Sequence, residues 1–294
     1  MLKFSGHDTF HCKEQWLLKG MQLLDSQNDA SIFKKNEAIS ALGVGKNMVR
    51  SIQHWLRAFG MIDSDNEISE LAKLLFLENR YDRFLEHEGS LWLLQYSLCH
   101  TGYASIYKSV FADYFANKAS LEFSESQIVT FLNRQLTLSG RKPSTINTLS
   151  SDYKVFLKTY ISPPKNTKTF EDDYNAPLLS LDLVVNTGRK NERKEEVYRI
   201  NKRIQENLSV EVFAYCLLGE FNGENAINFD SIRRTLGYYL CLSNEGLEGI
   251  LEDLCNKYPE FVFKDDAGVR QLQIKNLPEN YKINLLENYY GINL

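Results

Sequence analysis

Lys35–Ile62, KNEAISALGVGKNMVRSIQHWLRAFGMI, reads as two helices joined by a tight turn. The first runs roughly from Lys35 to Leu42. It ends where Gly43 and Gly45 can take the positive φ angles of a sharp reversal. The second starts near Asn47, a good N-cap residue, and runs to Phe59. Val49, Ile52, Leu56 and Phe59 fall on it at i, i+3, i+7 and i+10, one apolar stripe that must pack against neighbouring helices. The opposite face carries Lys46, Asn47, Arg50, Gln53, His54 and Arg57. A short polar turn, Asp63 to Asn66, follows, with Glu67 and Ile68 returning from it. Helix, turn, helix and small hairpin is the layout of a winged helix-turn-helix, whose second helix enters a DNA major groove.

GVGK invites a competing reading as a phosphate-binding loop. That motif needs G-x-x-x-x-G-K-[ST] after a hydrophobic strand. Here Asn47 stands where Ser or Thr should hold Mg²⁺, and the preceding residues are helical, so the nucleotide reading fails. A small helical unit also suits protein docking. The local charge favours DNA: Lys34, Lys35, Lys46, Arg50 and Arg57 face the single acid Glu37 across 31–60, inside a chain of net charge −4.

The 294 residues are 43% hydrophobic and 24% charged, enough for two domains with cores. A net acidic chain does not coat itself in nucleic acid, so DNA contact must use local patches. Five scattered cysteines without a C-x-x-C pair fit reduced thiols in the cytoplasm. No apolar run approaches a membrane span or a signal peptide, and we expect no membrane partner.

Along the chain, Ser5-Gly6-His7-Asp8-Thr9-Phe10 places several polar groups at a turn ahead of a helix over Glu14–Leu24. It reads as a capping loop or as part of an active site, since His7 and Asp8 together supply acid–base chemistry or metal ligation. His7, His11 and Cys12 give three ligands where a structural zinc site needs four. Ser90–Leu98 is apolar nearly all round, a buried helix, and the Tyr/Phe stripe 103–115 reads as packing before base stacking. Ser124 and Gln127 form a capping pattern ahead of Ile128–Leu136, and Ser144 caps a helix over 145–160. Residues 161–206 read as linker and charged connector, with an acidic triplet at 171–173 and a run of mixed charge from Arg189 to Arg203. Residues 207–294 repeat helix, helix, helix and hairpin, with an acidic third helix suited to docking. The fold class is therefore mainly α with small β-hairpins, as winged helix-turn-helix domains. The N-terminal helical domain covers 1–160 with the winged unit at about 30–76, and the docking domain covers 207–294.

FSGHDTFHCKEQWLLKG, ALGVGKNMVRSIQHWLRAFGMI and LEHEGSLWLLQYSL, in that order, resemble the bacterial domain of unknown function 4007 family. Asp8 stands where that family leads us to expect Glu, and Lys13 where it leads us to expect Arg. The resemblance implies a role in phage defence and DNA phosphorothioation, beside phosphosulfate-reductase-like sulfur-transfer and ATPase partners. One branch is similar to the DNA-nicking subunit of single-strand phosphorothioation systems. The expectation is thus a double-stranded-DNA-binding component that reads DNA through Lys46, Asn47, Arg50, Gln53, His54 and Arg57. It would nick one strand with His7 and Asp8, backed by Asp172 and Asp173 and a divalent Mg²⁺ or Mn²⁺ ion. A non-catalytic adaptor for a sulfur-transfer enzyme and a winged-helix transcriptional regulator are the alternatives.

Overall fold

The computed structural model describes residues 2–27, 29, 31–77, 81–116, 118–162, 176–266 and 268–291. The chain is about 53% helical, and among the described residues it carries two three-stranded antiparallel sheets. This agrees with the mainly α expectation. Two compact units divide it, Met1–Asn201 and Lys202–Leu294. The division at 201/202 lies within the 161–206 stretch.

In the first unit α1 (Glu14–Gln27), α2 (Glu37–Leu42) and α3 (Lys46–Ala58) form the opening cluster. Gly43 ends α2 in the left-handed conformation, φ +65°, as the turn demands, whereas Gly45 is extended at φ −69°. After α3 a single antiparallel bridge, Ile62 to Ile68, closes the 63–66 turn. A short turn, α4 (Glu70–Ala72), continues as a π turn over Lys73–Leu77. Next comes α5 (Glu88–His100), buried continuously from Gly89 to Cys99. Trp92 is fully buried there, so it belongs to the core.

The aromatic stripe also packs inward. Tyr107 and Phe111 of α6 (Ser105–Lys108, prolonged to Asp113) meet Phe156 of α8 (Ile146–Tyr160) with ring centroids 5.5 and 5.7 Å apart. Between them, α7 (Glu125–Leu138) begins in a full capping box of Ser124 and Gln127. Thr145, not Ser144, caps α8: its hydroxyl accepts from the Thr148 amide at 3.1 Å.

The charged stretch after 181 is a hairpin. β2 (Val184–Lys190) and β3 (Glu196–Ile200) pair antiparallel, and β1 (Glu122–Phe123) adds on the other side of β3. Its turn residue Glu195 accepts hydrogen bonds from Ser124 Oγ (2.9 Å), Ser126 Oγ (2.7 Å) and the Ser126 amide (3.1 Å). Burial pushes its carboxyl up, but these bonds and Asn191 outweigh that and hold it below the usual range. The carboxylate thus anchors the start of α7.

The second unit runs α9 (Val210–Glu220), β4 (Ala226–Asn228), α10 (Phe229–Arg234), α11 (Leu236–Tyr239), α12 (Asn244–Lys257), the hairpin β5 (Phe261–Asp266) and β6 (Val269–Ile274), and α13 (Tyr281–Tyr290). The acidic α12 offers Glu248 to Arg270 of β6 at 2.9 Å, a structural ion pair. Arg233 is bonded to Asp230 at 3.0 Å.

Candidate nucleic-acid interface and the adjoining loop

Two stripes of α3 are buried. Val49, Ile52 and Leu56 form the expected one; Ser51, His54, Trp55 and Ala58 form a second. The loop Ser5–Phe10 lies on this second stripe. Ser51 Oγ donates to the His7 carbonyl at 3.0 Å, and Trp55 Nε1 donates to the Phe10 carbonyl at 3.1 Å. The exposed arc is therefore narrower than a single stripe predicts. Lys46, Asn47 and Arg50 remain exposed, and Gln53 and Arg57 are half-buried.

His54 corrects the reading that put it on the outer face. It is 5% exposed, with its ring 5.3 Å from those of Trp55 and Tyr103 and 5.8 Å from that of His7. Burial first, then the neighbouring His7, Lys3 and Arg57, holds its pKa down at about 3, so the imidazole is neutral. Gln53 Nε2 and Arg57 Nη2 both donate to Asn66 Oδ1, at 3.1 and 2.9 Å, and Arg57 also donates to the Ser64 carbonyl at 3.0 Å. These two side chains hold the 63–66 turn onto α3.

At the other end of α3, Arg50 joins the two candidate groups. Its Nη2 donates to Asn47 Oδ1 at 2.7 Å, and its Nε is 3.2 Å from Asp8 Oδ2. Asp8 thus stands beside the exposed basic edge. His7 differs: it is 5% exposed and both ring nitrogens are engaged. The Thr9 amide donates to Nδ1 at 3.1 Å, so Nε2 carries the proton and donates to Asp152 Oδ1 at 3.2 Å. Asp152 also accepts the Ser5 amide on both oxygens, at 2.9 and 3.0 Å. The geometry makes His7 a pin for the loop rather than an open acid or base.

The loop is strained. Ser5, Asp8 and Thr9 take φ of +66°, +44° and +67°, with Gly6 at +102°. Gly6 has a second constraint: a Cβ there would lie 2.8 Å from His54 Nδ1. Among the described residues no group of three or more His, Cys, Asp and Glu side chains could hold a metal ion. His7, His11 and Cys12 therefore do not come together as a zinc site, and Asp172 and Asp173 lie outside the described residues. Cys12, Cys99, Cys216 and Cys241 are buried thiols outside any disulfide. Burial raises the pKa of Cys12 well above normal and that of Cys241 to about 12, which leaves them unreactive.

Asp152, Lys3 and Tyr103 join this region without having stood out in the sequence. Asp152 had a legible signal. It occupies the otherwise apolar stripe Leu149, Asp152, Tyr153, Phe156 and Tyr160 of α8, where a carboxylate must have a partner.

No curated protein matches the chain. Two crystal structures of SspB, one of them magnesium ion-bound, share its fold with a TM-score of 0.81 at 22% and 21% identity. Each comparison covers 98% of this chain and 88% of the other. A family model described as "Protein of unknown function (DUF4007)" matches residues 4–290, and the chain belongs to that family.

Proposed function

We propose that the protein is the DNA-binding component of a bacterial DNA phosphorothioate modification (phage-defence) system. It would dock on duplex DNA through the N-terminal half of α3, in winged helix-turn-helix fashion. The observation that carries this is the exposed edge of Lys46, Asn47 and Arg50. It lies at a helix start with no acid in its first turn and no side-chain cap. A lysine at the positive end of a helix opposes the helix dipole and does nothing for stability. A phosphate oxygen placed there meets the dipole, free amides and the ammonium together. The Arg50–Asn47 bond pre-orients two side chains suited to guanine and adenine edges. The fold shared with SspB and the family membership are in keeping with this setting; by the family resemblance, sulfur-transfer and ATPase proteins would be its partners in the cytoplasm.

Strand nicking by this chain is a second reading, favoured by the run of positive φ angles around Asp8. Backbone strain of this kind concentrates at functional sites. In that reading Asp8 faces the phosphodiester, Arg50 stabilises its charge, and His7 positions Asp8.

One experiment separates the readings. Supercoiled plasmid is incubated with the protein and Mg²⁺ or Mn²⁺, and duplex affinity is measured in parallel. Open circles that vanish in Asp8→Ala while binding persists establish nicking; tight binding with intact plasmid establishes an adaptor. Arg50→Ala should weaken duplex binding by about 1–3 kcal/mol. Unchanged affinity in both Arg50→Ala and Lys46→Ala ends the DNA reading.

A further inference from the structure

We infer that Lys3, Arg57 and Tyr103 form a phosphate pocket that takes a backbone phosphate of a DNA strand flanking α3. The inference rests on the DNA-binding reading above and adds a contact outside the Lys46–Arg50 edge.

Three side chains converge from separate parts of the fold. Lys3 Nζ lies 3.4 Å from the centroid of the Tyr103 ring. Its main chain is clamped to Ser105: the Lys3 amide donates to Ser105 Oγ at 2.7 Å, and the Ser105 amide donates to the Lys3 carbonyl at 3.0 Å. Arg57 is fixed from the other side by Ser64 and Asn66. The His54 ring lies beneath, 5.3 Å from Tyr103.

The pocket is positive and uncompensated. Among the described residues no carboxylate pairs with Lys3 or Arg57, whereas Arg50 has Asp8 and Lys35 has Asp29. The titration of the neighbours agrees with an anion site. Burial pushes the Tyr103 phenol up, yet Lys3 and Arg57 more than offset this and hold it below its ordinary value. His54 stays neutral, held down at about 3 by burial and by the same cations.

An ammonium, a guanidinium and a hydroxyl are the donor set of a tetrahedral oxyanion. The strand assignment follows from distance along the helix. Arg50 and Arg57 are separated by about 10 Å of rise, comparable with the roughly 12 Å width of a major groove. A helix whose Arg50 end faces bases therefore brings its Arg57 end towards the groove wall, where the phosphates run.

The test is a salt titration of duplex binding with the full chain and its variants Lys3→Gln, Tyr103→Phe and Lys46→Gln, read by fluorescence anisotropy. Calorimetric titration with inorganic phosphate runs beside it. Arg57 is left intact because it also holds the 63–66 turn. Lys3→Gln should lower the log–log salt slope by about 0.9, equally on all duplex sequences. Tyr103→Phe, which removes a donor but no charge, should weaken binding without changing the slope. Phosphate binding seen in the wild type should be lost in Lys3→Gln. If Lys46→Gln flattens the slope while Lys3→Gln and Tyr103→Phe behave as wild type, the pocket is overturned and the DNA reading stands. Phosphate bound by the wild type in the absence of any duplex affinity overturns the strand assignment and the DNA reading together.

Discussion

Acidification tests the interior position of His54, on which the seating of the 5–10 loop depends. The folded imidazole has its pKa held down at about 3 by burial and by His7, Lys3 and Arg57, against an ordinary value of 6.5. Below 6.5 the unfolded chain protonates this group and the folded chain does not. The unfolded state then binds more protons, so the stability contributed by a neutral His54 is whole above 6.5 and is lost as pH falls towards 3. Between about pH 7 and pH 4 the loss spans about 2.5 units at 1.36 kcal/mol each, or about 3 kcal/mol. Urea denaturation at both pH values reads it. Trp16, Trp55 and Trp92 all lie in the first unit, so their fluorescence follows the relevant transition. His54→Gln is the reference, because Gln stays neutral throughout and the other titrating groups contribute alike to both proteins. Wild type should lose about 3 kcal/mol more than the variant. Equal losses would refute a buried neutral His54, and with it the packing of the loop on α3.

Further outcomes concern the loop and the turn. Gly6→Ala must place a Cβ 2.8 Å from His54 at φ +102°. It should cost about 1–3 kcal/mol, and an unchanged melting temperature would contradict the close approach. Asp152→Ala leaves His7 Nε2 and the Ser5 amide without their acceptor and should cost about 1–3 kcal/mol; faster exchange of the loop amides would mark the same release. Asn66→Ala removes the acceptor shared by Gln53 and Arg57 at a position with φ +66°. It should lower stability by about 1–2 kcal/mol, measured by chemical denaturation. Asp8→Asn frees Arg50 of its carboxylate and should tighten non-specific duplex binding, most visibly at low salt.

What could be read from the chain alone was local. The α2–α3 pair, the capping box at Ser124, the all-round apolar α5 and the β5–β6 hairpin each follow from spacing within one segment. Missing were facts set by partners far away in sequence. His54 reads as a surface residue when the stripe Val49, Ile52, Leu56 and Phe59 is the whole buried face of α3. The second stripe exists because residues 5–10 return to cover it. The 184–200 hairpin was hidden by its charge. Edge strands with a solvated face carry such residues, and the pairing of Glu122 with Arg199 is visible only in three dimensions. For the site, the juxtaposition of Asp8 and Arg50 and the pinning of His7 were likewise illegible. The odd carboxylate on α8 was the one available clue.

The loop and its clamp are made far apart in time. Asp152 lies 145 residues beyond His7 and 147 beyond Ser5. On a translating ribosome, at about 5–20 residues per second, the 5–9 turn waits on the order of 10 seconds for its acceptor to be synthesised. Until then only the bonds from Ser51 and Trp55 of α3 offset four left-handed residues in a row of five, and the Ser5 amide and His7 Nε2 have no acceptor. Premature termination before α8 would therefore release a chain with the basic helix already formed and the Asp8 corner unbuilt. Assembly of that corner doubles as a check that the chain has been made through α8.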